Sequence, residues 1–258
     1  MTLTAPGALA PRPGAAPLPR MVLAQAAFEL KLQLRNGEQL LVTLVIPLLL
    51  LLGLTLTSAV DVGSSDRIDA VAPGILALAV MSSAFTSQAI STGFERRYGV
   101  LKRLGTTPLP RAGLIAAKTL AVVGVELVQV VLLAVVALLL GWHPTGDPAA
   151  AVLLVVLGTA AFSGLALLMA GTLRAEATLA GANLVWLLML AAGGVVVPLD
   201  RYPQSLQGPL ELLPLGALSE GLRQVLVEGA ALPGTALLVL LVWAAAGIAL
   251  AARFFRWE

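Results

Sequence analysis

Few side chains in this sequence have the types and spacing that support chemistry, and Glu126 is the first of them. It lies inside an apolar run at 118–141 that has Lys118 at its edge, with Gln129 about one helical turn further along. A carboxylate in such a run needs a polar partner, because burying an unpaired charge is costly. Asn183 and Ser163, in later apolar runs, are the candidate partners. A proton or cation pathway and a purely structural hydrogen bond both fit this set.

Motifs of nucleotide and catalytic sites are missing from the sequence. None of its lysines, Lys31, Lys102 and Lys118, follows a glycine, so the chain has no G-x-x-x-x-G-K-[ST] phosphate loop. The sequence also lacks H-E-x-x-H and G-x-S-x-G. Zero cysteines and a single His143 exclude thiolate chemistry and a Cys-type zinc site. We therefore expect no catalytic, cofactor-binding or metal-binding residue in this chain, and an enzyme acting on lipid is the least favoured function.

The elements that position these residues are predicted to be membrane-spanning helices. Hydrophobic residues make up 59% of the chain and charged residues 12%, and the mean hydropathy is +0.95, outside the range of soluble domains. A helix needs about 20 apolar residues to cross a bilayer core of about 30 Å. The sequence predicts an all-α membrane protein with six transmembrane helices. Their approximate ranges are 40–60, 71–93, 118–141, 150–173, 177–199 and 235–252.

The placement of basic residues predicts the orientation of these helices. With both termini inside, only Arg67, Arg201 and Arg223 of the sixteen Lys and Arg residues lie outside, as expected from the retention of positive charge in short cytoplasmic loops. Both termini are therefore predicted to be cytoplasmic. This sorting also explains the net charge of +2 without nucleic acid as a partner.

The segment from Phe94 to Arg111, FERRYGVLKRLGTTPLPR, is more patterned than a connection between two spans requires. Read as one helix, it places Phe94, Tyr98, Leu101 and Gly105 on a single apolar stripe with basic residues beside it. Pro108 and Pro110 end the helix. We expect this cytoplasmic segment to contact a partner.

Three further segments lie outside the predicted spans. Residues 1–20 hold five prolines and are predicted to form a disordered cytoplasmic tail. Residues 21–35 are predicted to form an amphipathic helix in the inner interface, or a cytosolic extension of the first span. The third outer loop, 200–234, is too long and apolar for a simple connector, which predicts two short helices that dip into the outer leaflet or a soluble external cap.

Three pieces of this sequence resemble the membrane subunit of ABC-2 type transporters, a permease family that includes drug-resistance, polysaccharide and lipid-linked glycan exporters. FELKLQLRN and a following span with Pro47 look like its interfacial helix and first span. The basic segment is similar to the family pattern E-[KR]-E-x-G-T-L-x-x-L-x-x-[ST]-P-L-x-R. It matches at Glu95, Gly99, Leu101, Leu104, Thr107, Pro108, Leu109 and Arg111. Arg97 and Val100 depart from this pattern, at positions that are often acidic and often Thr.

The outer sequence completes the resemblance, which covers nearly all of Ala27 to Arg256. It looks like a pair of re-entrant helices, through Pro198, Pro203, Pro214, Glu220, Arg223 and Gly229. The resemblance implies a permease domain at 21–258 in a bacterial-type cytoplasmic membrane. It also implies a dimer of permeases, homodimeric or heterodimeric, with two ATPase subunits that bind ATP and Mg.

In such an exporter, the basic segment would be a coupling helix seated on the ATPase. Its expected contact residues are Phe94, Glu95, Arg96, Arg97, Tyr98, Leu101, Lys102 and Arg103. The cargo would be amphiphilic or lipid-linked. The alternative function is a gradient-driven carrier that uses Glu126 as a proton or cation site.

Overall fold

A computed structural model describes residues 14–57 and 67–255, which form helices joined by short turns. The α-helices in these ranges are α1 Leu18–Arg35, α2 Gly37–Leu40, α3 Ile46–Leu56, α4 Arg67–Met81, α5 Gln88–Arg97, α6 Val100–Leu104, α7 Arg111–Leu139, α8 Pro148–Thr172, α9 Ala175–Ala192, α10 Gln204–Glu211, α11 Pro214–Leu226 and α12 Gly234–Phe254. Two π-helical segments, Leu41–Val45 and Ser82–Ser87, join α2 to α3 and α4 to α5.

Five helices are long and apolar enough to cross a membrane. These are the continuous helix Arg67–Arg97, which comprises α4, a π segment and α5, together with α7, α8, α9 and α12. The shorter apolar helix Thr43–Leu56 lies within the first predicted span, whose last residues, 58–60, fall outside the described ranges. The all-helical membrane class is therefore confirmed, while the count of six spans stays a prediction.

The helix Arg67–Arg97 forms the centre of the bundle. Its α4 part contributes a run of fully buried side chains that includes Leu78 and Met81. A Cβ on Gly74 would lie 2.0 Å from the carbonyl oxygen of Val195, so this glycine allows α4 to approach the turn after α9. Neighbouring helices surround the central helix on most sides.

Helices α8 and α12 cross at two glycines. A Cβ on Gly164 would lie 2.7 Å from the carbonyl carbon of Gly247, which is too close for any real side chain. The absence of side chains at both positions lets the two backbones pack directly, as small residues do in membrane bundles.

The structure moves two of the predicted boundaries. Helix α9 ends at Ala192 and not near Leu199, because Gly193 and Gly194 turn the chain and Gly194 takes a left-handed conformation with φ +65°. Helix α1 begins at Leu18, so the last three residues of the predicted tail are helical, while residues 1–13 lie outside the described residues. Helix α1 packs lengthwise against α7, where the side chain of Leu30 covers Gly124.

The predicted pair of short helices corresponds to α10 and α11. Pro203 precedes α10, and Pro214 occupies the first turn of α11, where its missing N–H costs no hydrogen bond. The apolar stripe of α11 is buried against α4 and α8 and consists of Leu215, Leu218, Leu222, Val225 and Leu226. The entry of α10 and α11 into the outer leaflet stays a prediction.

Candidate functional site

The basic segment, Phe94 to Arg111, is divided between the end of α5 and the short helix α6 and is not one helix, so the prediction of a single stripe is wrong. Helix α5 ends at Arg97, and Gly99 adopts a left-handed conformation with φ +72° before α6 begins at Val100. Such a conformation is strained for residues with a Cβ, which explains the glycine in this bend. At the end of α6, the hydroxyl groups of Thr106 and Thr107 donate hydrogen bonds to the backbone carbonyls of Arg103 and Leu104.

This bend separates the residues that were predicted to share the stripe. Leu101 is fully buried against Leu109, Leu114 and Phe255, whereas Tyr98 is 70% exposed. The ring of Phe94 stacks on that of Tyr98, with their centroids 6.2 Å apart. Leu101 therefore anchors the segment to the bundle, whereas the stacked rings of Phe94 and Tyr98 lie outside this buried contact.

Glu95 points into the bundle and belongs to a buried charge cluster. The ammonium group of Lys118 on α7 lies 2.6 Å from Glu95 Oε2 and 3.2 Å from Glu29 Oε1 on α1. Gln25 donates a further hydrogen bond to Glu29 Oε1 at 2.9 Å. This cluster, Glu29–Lys118–Glu95, ties the end of α5 to α1 and α7.

Arg96 and Arg97 tie the same end of α5 to the connection between α8 and α9. Arg96 donates to the backbone carbonyl of Leu173, and Arg97 forms an exposed ion pair with Glu176 at the start of α9. Arg97 thus has a partner within the chain at a position where the sequence pattern is often acidic. Three consecutive residues, 95–97, fasten α5 to three neighbouring elements.

The outward face of the segment carries the remaining predicted contact residues. Tyr98, Lys102 and Arg103 are exposed, and Val100 next to them is also exposed. We call these four residues the outer face, because they point away from the bundle; the name does not refer to the outer side of the membrane. It combines an aromatic ring and an aliphatic side chain with two cations, and it is backed by buried Leu101 and the ionic contacts of 95–97.

The polar residues predicted inside the spans do not form one cluster. Glu126 is buried and accepts a hydrogen bond of 2.6 Å from the hydroxyl of Thr159 on α8, so the expected pairing with Asn183 or Ser163 is wrong. Asn183 donates to the carbonyl of Leu179 in its own helix. Thr159 lies one helical turn before Ser163, and this spacing is the signal in the sequence that could have suggested Thr159 as the partner of Glu126.

Gln129 makes a separate set of contacts at the π segments. It accepts a hydrogen bond of 2.8 Å from the hydroxyl of Ser83 and donates to the carbonyl of Thr43. Trp186 on α9 donates to the hydroxyl of Ser82 at 2.9 Å. The middle of the central helix is therefore hydrogen-bonded to α7 and to α9.

Two cavities lie beside these polar groups. One, of about 550 Å³, is bounded by α4, α7, α8 and α11 and contains Glu126. The other, of about 620 Å³, lies between α3, the central helix and α9, and its lining includes Asn183 and several hydroxyl groups. Both volumes fall within the range of about 300–1,000 Å³ that is usual for small-molecule sites.

Arg223 of α11 connects several elements at the end of the bundle opposite the basic segment. Its guanidinium donates to the carbonyl of Ala70 at 2.7 Å and to that of Gly194 at 3.0 Å, and it lies 3.6 Å from the carboxylate of Glu220. Burial raises the pKa of Glu220, an effect that the nearby Arg223 opposes. Arg223 thereby ties α11 to α4 and to the turn after α9.

Comparison with known proteins assigns the family. No curated protein matches the chain significantly. The family model described as ABC-2 type transporter matches residues 22–227, which include α1 from its fifth residue on, the outer face and the whole of α11. This match and the five span-length helices make the chain a multi-pass membrane component of a transporter. Family membership also implies association with an ABC ATPase. The chain belongs to the ABC-2 type transporter family.

Proposed function

We propose that this chain is the permease subunit of an ATP-driven exporter and that its outer face docks on the ATPase subunit. The observation that carries the proposal is the construction of that face. Tyr98, Val100, Lys102 and Arg103 are exposed, while residues 95–97 before them contact α7, the α8–α9 connection and the start of α9. A partner that moved this face would therefore move several helices together.

The charge of the outer face supports a protein partner with an acidic groove. Lys102 and Arg103 supply two cations, and Tyr98 supplies an aromatic anchor of the kind that is enriched at protein interfaces. In this assembly the partner binds ATP and Mg, and hydrolysis occurs there. The outer face belongs to the cytoplasmic side, together with both termini, in a bacterial-type cytoplasmic membrane.

A second permease copy is proposed to cover α9. Much of this helix is exposed, including the large apolar side chains of Leu184, Leu187 and Leu188. The cavity that contains Asn183 lies against the same helix. A homodimeric or heterodimeric contact along α9 would enclose this cavity between two copies and create a path for an amphiphilic or lipid-linked cargo. Helices α10 and α11 would re-enter the outer leaflet and close the outer end of the path.

Copurification tests the docking surface. The chain is coexpressed with the ATPase encoded beside it and purified through a tag on the permease. The double variant Lys102→Glu, Arg103→Glu is expected to reduce the recovered ATPase by about tenfold or more, because it places like charges at the interface. Arg201→Glu reverses an exposed charge at the opposite end of the bundle and serves as the control, with unchanged recovery expected.

Two outcomes would contradict the proposal. The first is that no ATPase copurifies with the wild-type chain. The second is that the double variant and Arg201→Glu retain the ATPase equally, which would exclude the outer face as the docking surface.

A further inference from the structure

The cavity that contains Glu126 is almost entirely apolar. Its lining consists mainly of leucine, valine and alanine side chains from α7 and α8, with Trp142 at one end and Leu222 of α11 behind. Exposed side chains of Leu127 and Val152, on α7 and α8, lie at its rim. A ligand with an apolar body could therefore enter from the side of the bundle, between these two helices.

Glu126 is the only ionisable side chain among the described residues that line this cavity. The residue is only 3% exposed. Thr159 donates to Oε2, whereas Oε1 has no hydrogen-bond partner among the described residues. A buried polar atom without a partner is destabilising, so a ligand that donates a hydrogen bond to Oε1 would be favoured here.

Two cations on helices that line this cavity are engaged elsewhere. Lys118, on the same helix as Glu126, lies between two carboxylates, those of Glu29 and Glu95. Arg223, on α11, donates to two backbone carbonyls and lies beside Glu220. The chain therefore leaves Glu126 without an internal counter-ion among the described residues.

We propose that this cavity binds a cationic amphiphile, with its apolar body among the side chains of α7 and α8 and its ammonium group donating to Glu126 Oε1. The ligand would supply both the charge and the donor that the site lacks. In such apolar surroundings an uncompensated charge is costly, so Glu126 should favour a ligand that brings the opposite charge. The site is separate from the cavity beside α9. That this ligand is exported cargo rests on the proposed function, but its binding does not.

A set of pyrene probes separates the contribution of charge from that of the apolar body. The purified chain, without ATPase, is placed in phosphatidylcholine nanodiscs, and binding of 1-pyrenemethylammonium and of neutral 1-pyrenemethanol is measured by fluorescence against empty nanodiscs. We expect the ammonium to bind about tenfold or more tightly than the alcohol, as befits a buried charge pair. In Glu126→Gln this preference should disappear, while the alcohol binds as before.

Two further variants locate the site. Glu228→Gln removes an exposed carboxylate outside the cavity and should keep the full preference for the ammonium. Ala134→Phe fills part of the cavity and should weaken both probes. Equal binding of the two probes to the wild-type chain overturns the proposal, whatever the variants do. A preference that persists in Glu126→Gln, or undiminished binding to Ala134→Phe, also overturns it. Because the ATPase is absent, none of these results tests the docking surface.

Discussion

Replacing Lys118 by methionine removes the only cation of the Glu29–Lys118–Glu95 cluster while keeping a side chain of similar length. The Lys118 side chain is 5% exposed and that of Glu29 is 7% exposed, so this pair is shielded from water. The Glu95 side chain is 23% exposed, so its interaction is partly screened. The variant therefore leaves two carboxylates close together, one of them buried without a cation.

The expected cost follows from these exposures. Removing one partner of a buried ion pair usually costs about 3–5 kcal/mol, because the remaining charge is uncompensated. Screening at Glu95 favours the lower end, so we expect Lys118→Met to lower the free energy of unfolding by about 3 kcal/mol. A compensated variant, Lys118→Met with Glu29→Gln and Glu95→Gln, carries no charge in the cluster and should recover at least half of this loss.

Equilibrium unfolding in mixed detergent micelles, followed by tryptophan fluorescence and circular dichroism, measures these differences. Lys31→Met removes an exposed lysine of α1 and should change the free energy of unfolding by less than about 0.5 kcal/mol. Equal stability of Lys118→Met and Lys31→Met would show that the buried cation does not stabilise the fold. A compensated variant no more stable than the single one would show that the loss does not arise from unpaired charge.

Three other predictions concern contacts elsewhere in the bundle, each measured by the same unfolding assay. Gly164→Ala should cost about 1–3 kcal/mol because its Cβ would meet the backbone of α12, whereas Gly53→Ala, with open space around it, should cost nothing. Arg97→Glu should cost less than about 1 kcal/mol and be restored by Glu176→Arg, because this ion pair is exposed. Arg223→Met should cost about 3 kcal/mol because it strips two buried carbonyls of their charged donor.

Each of these predictions has a distinct contradicting result. Equal stability of Gly164→Ala and Gly53→Ala would mean that α8 and α12 can separate at no cost. A large loss in Arg97→Glu that Glu176→Arg does not restore would assign Arg97 a role apart from this pair. Wild-type stability of Arg223→Met would show that water reaches the carbonyls of Ala70 and Gly194.

Local pattern predicted the helices and the buried stripe of α11 but not the bend at Gly99. Hydrophobic periodicity is a property of neighbouring residues, so Leu215 and Leu218 could be assigned to one face without knowing what covers it. A glycine within a helical pattern is compatible both with a continuous helix and with a left-handed turn. The packing of Leu101 against Leu109 and Phe255 favours the turn, and these contacts join distant parts of the chain.

Long-range polar partners could not be predicted for the same reason. Thr159 and Ser163 lie one turn apart on α8, and the choice between them depends on the axial offset of α7 against α8. The partner of Lys118 on α1 depends likewise on the lengthwise packing of that helix on α7. Charge balance was the available signal, because Lys118 is a cation in a span and needs an acid nearby.

The central helix Arg67–Arg97 is held at both ends by charged side chains and has its irregular segment in between. Arg223 binds the carbonyl of Ala70 near one end, and Lys118 binds Glu95 near the other. The π segment Ser82–Ser87 lies between them, and segments of this kind are frequent at functional sites. In the proposed exporter, movement of the outer face would reach α11 through this helix. Because both ends are fixed to neighbours, a change in its shape would be taken up at the π segment, where hydrogen bonds from α7 and α9 meet.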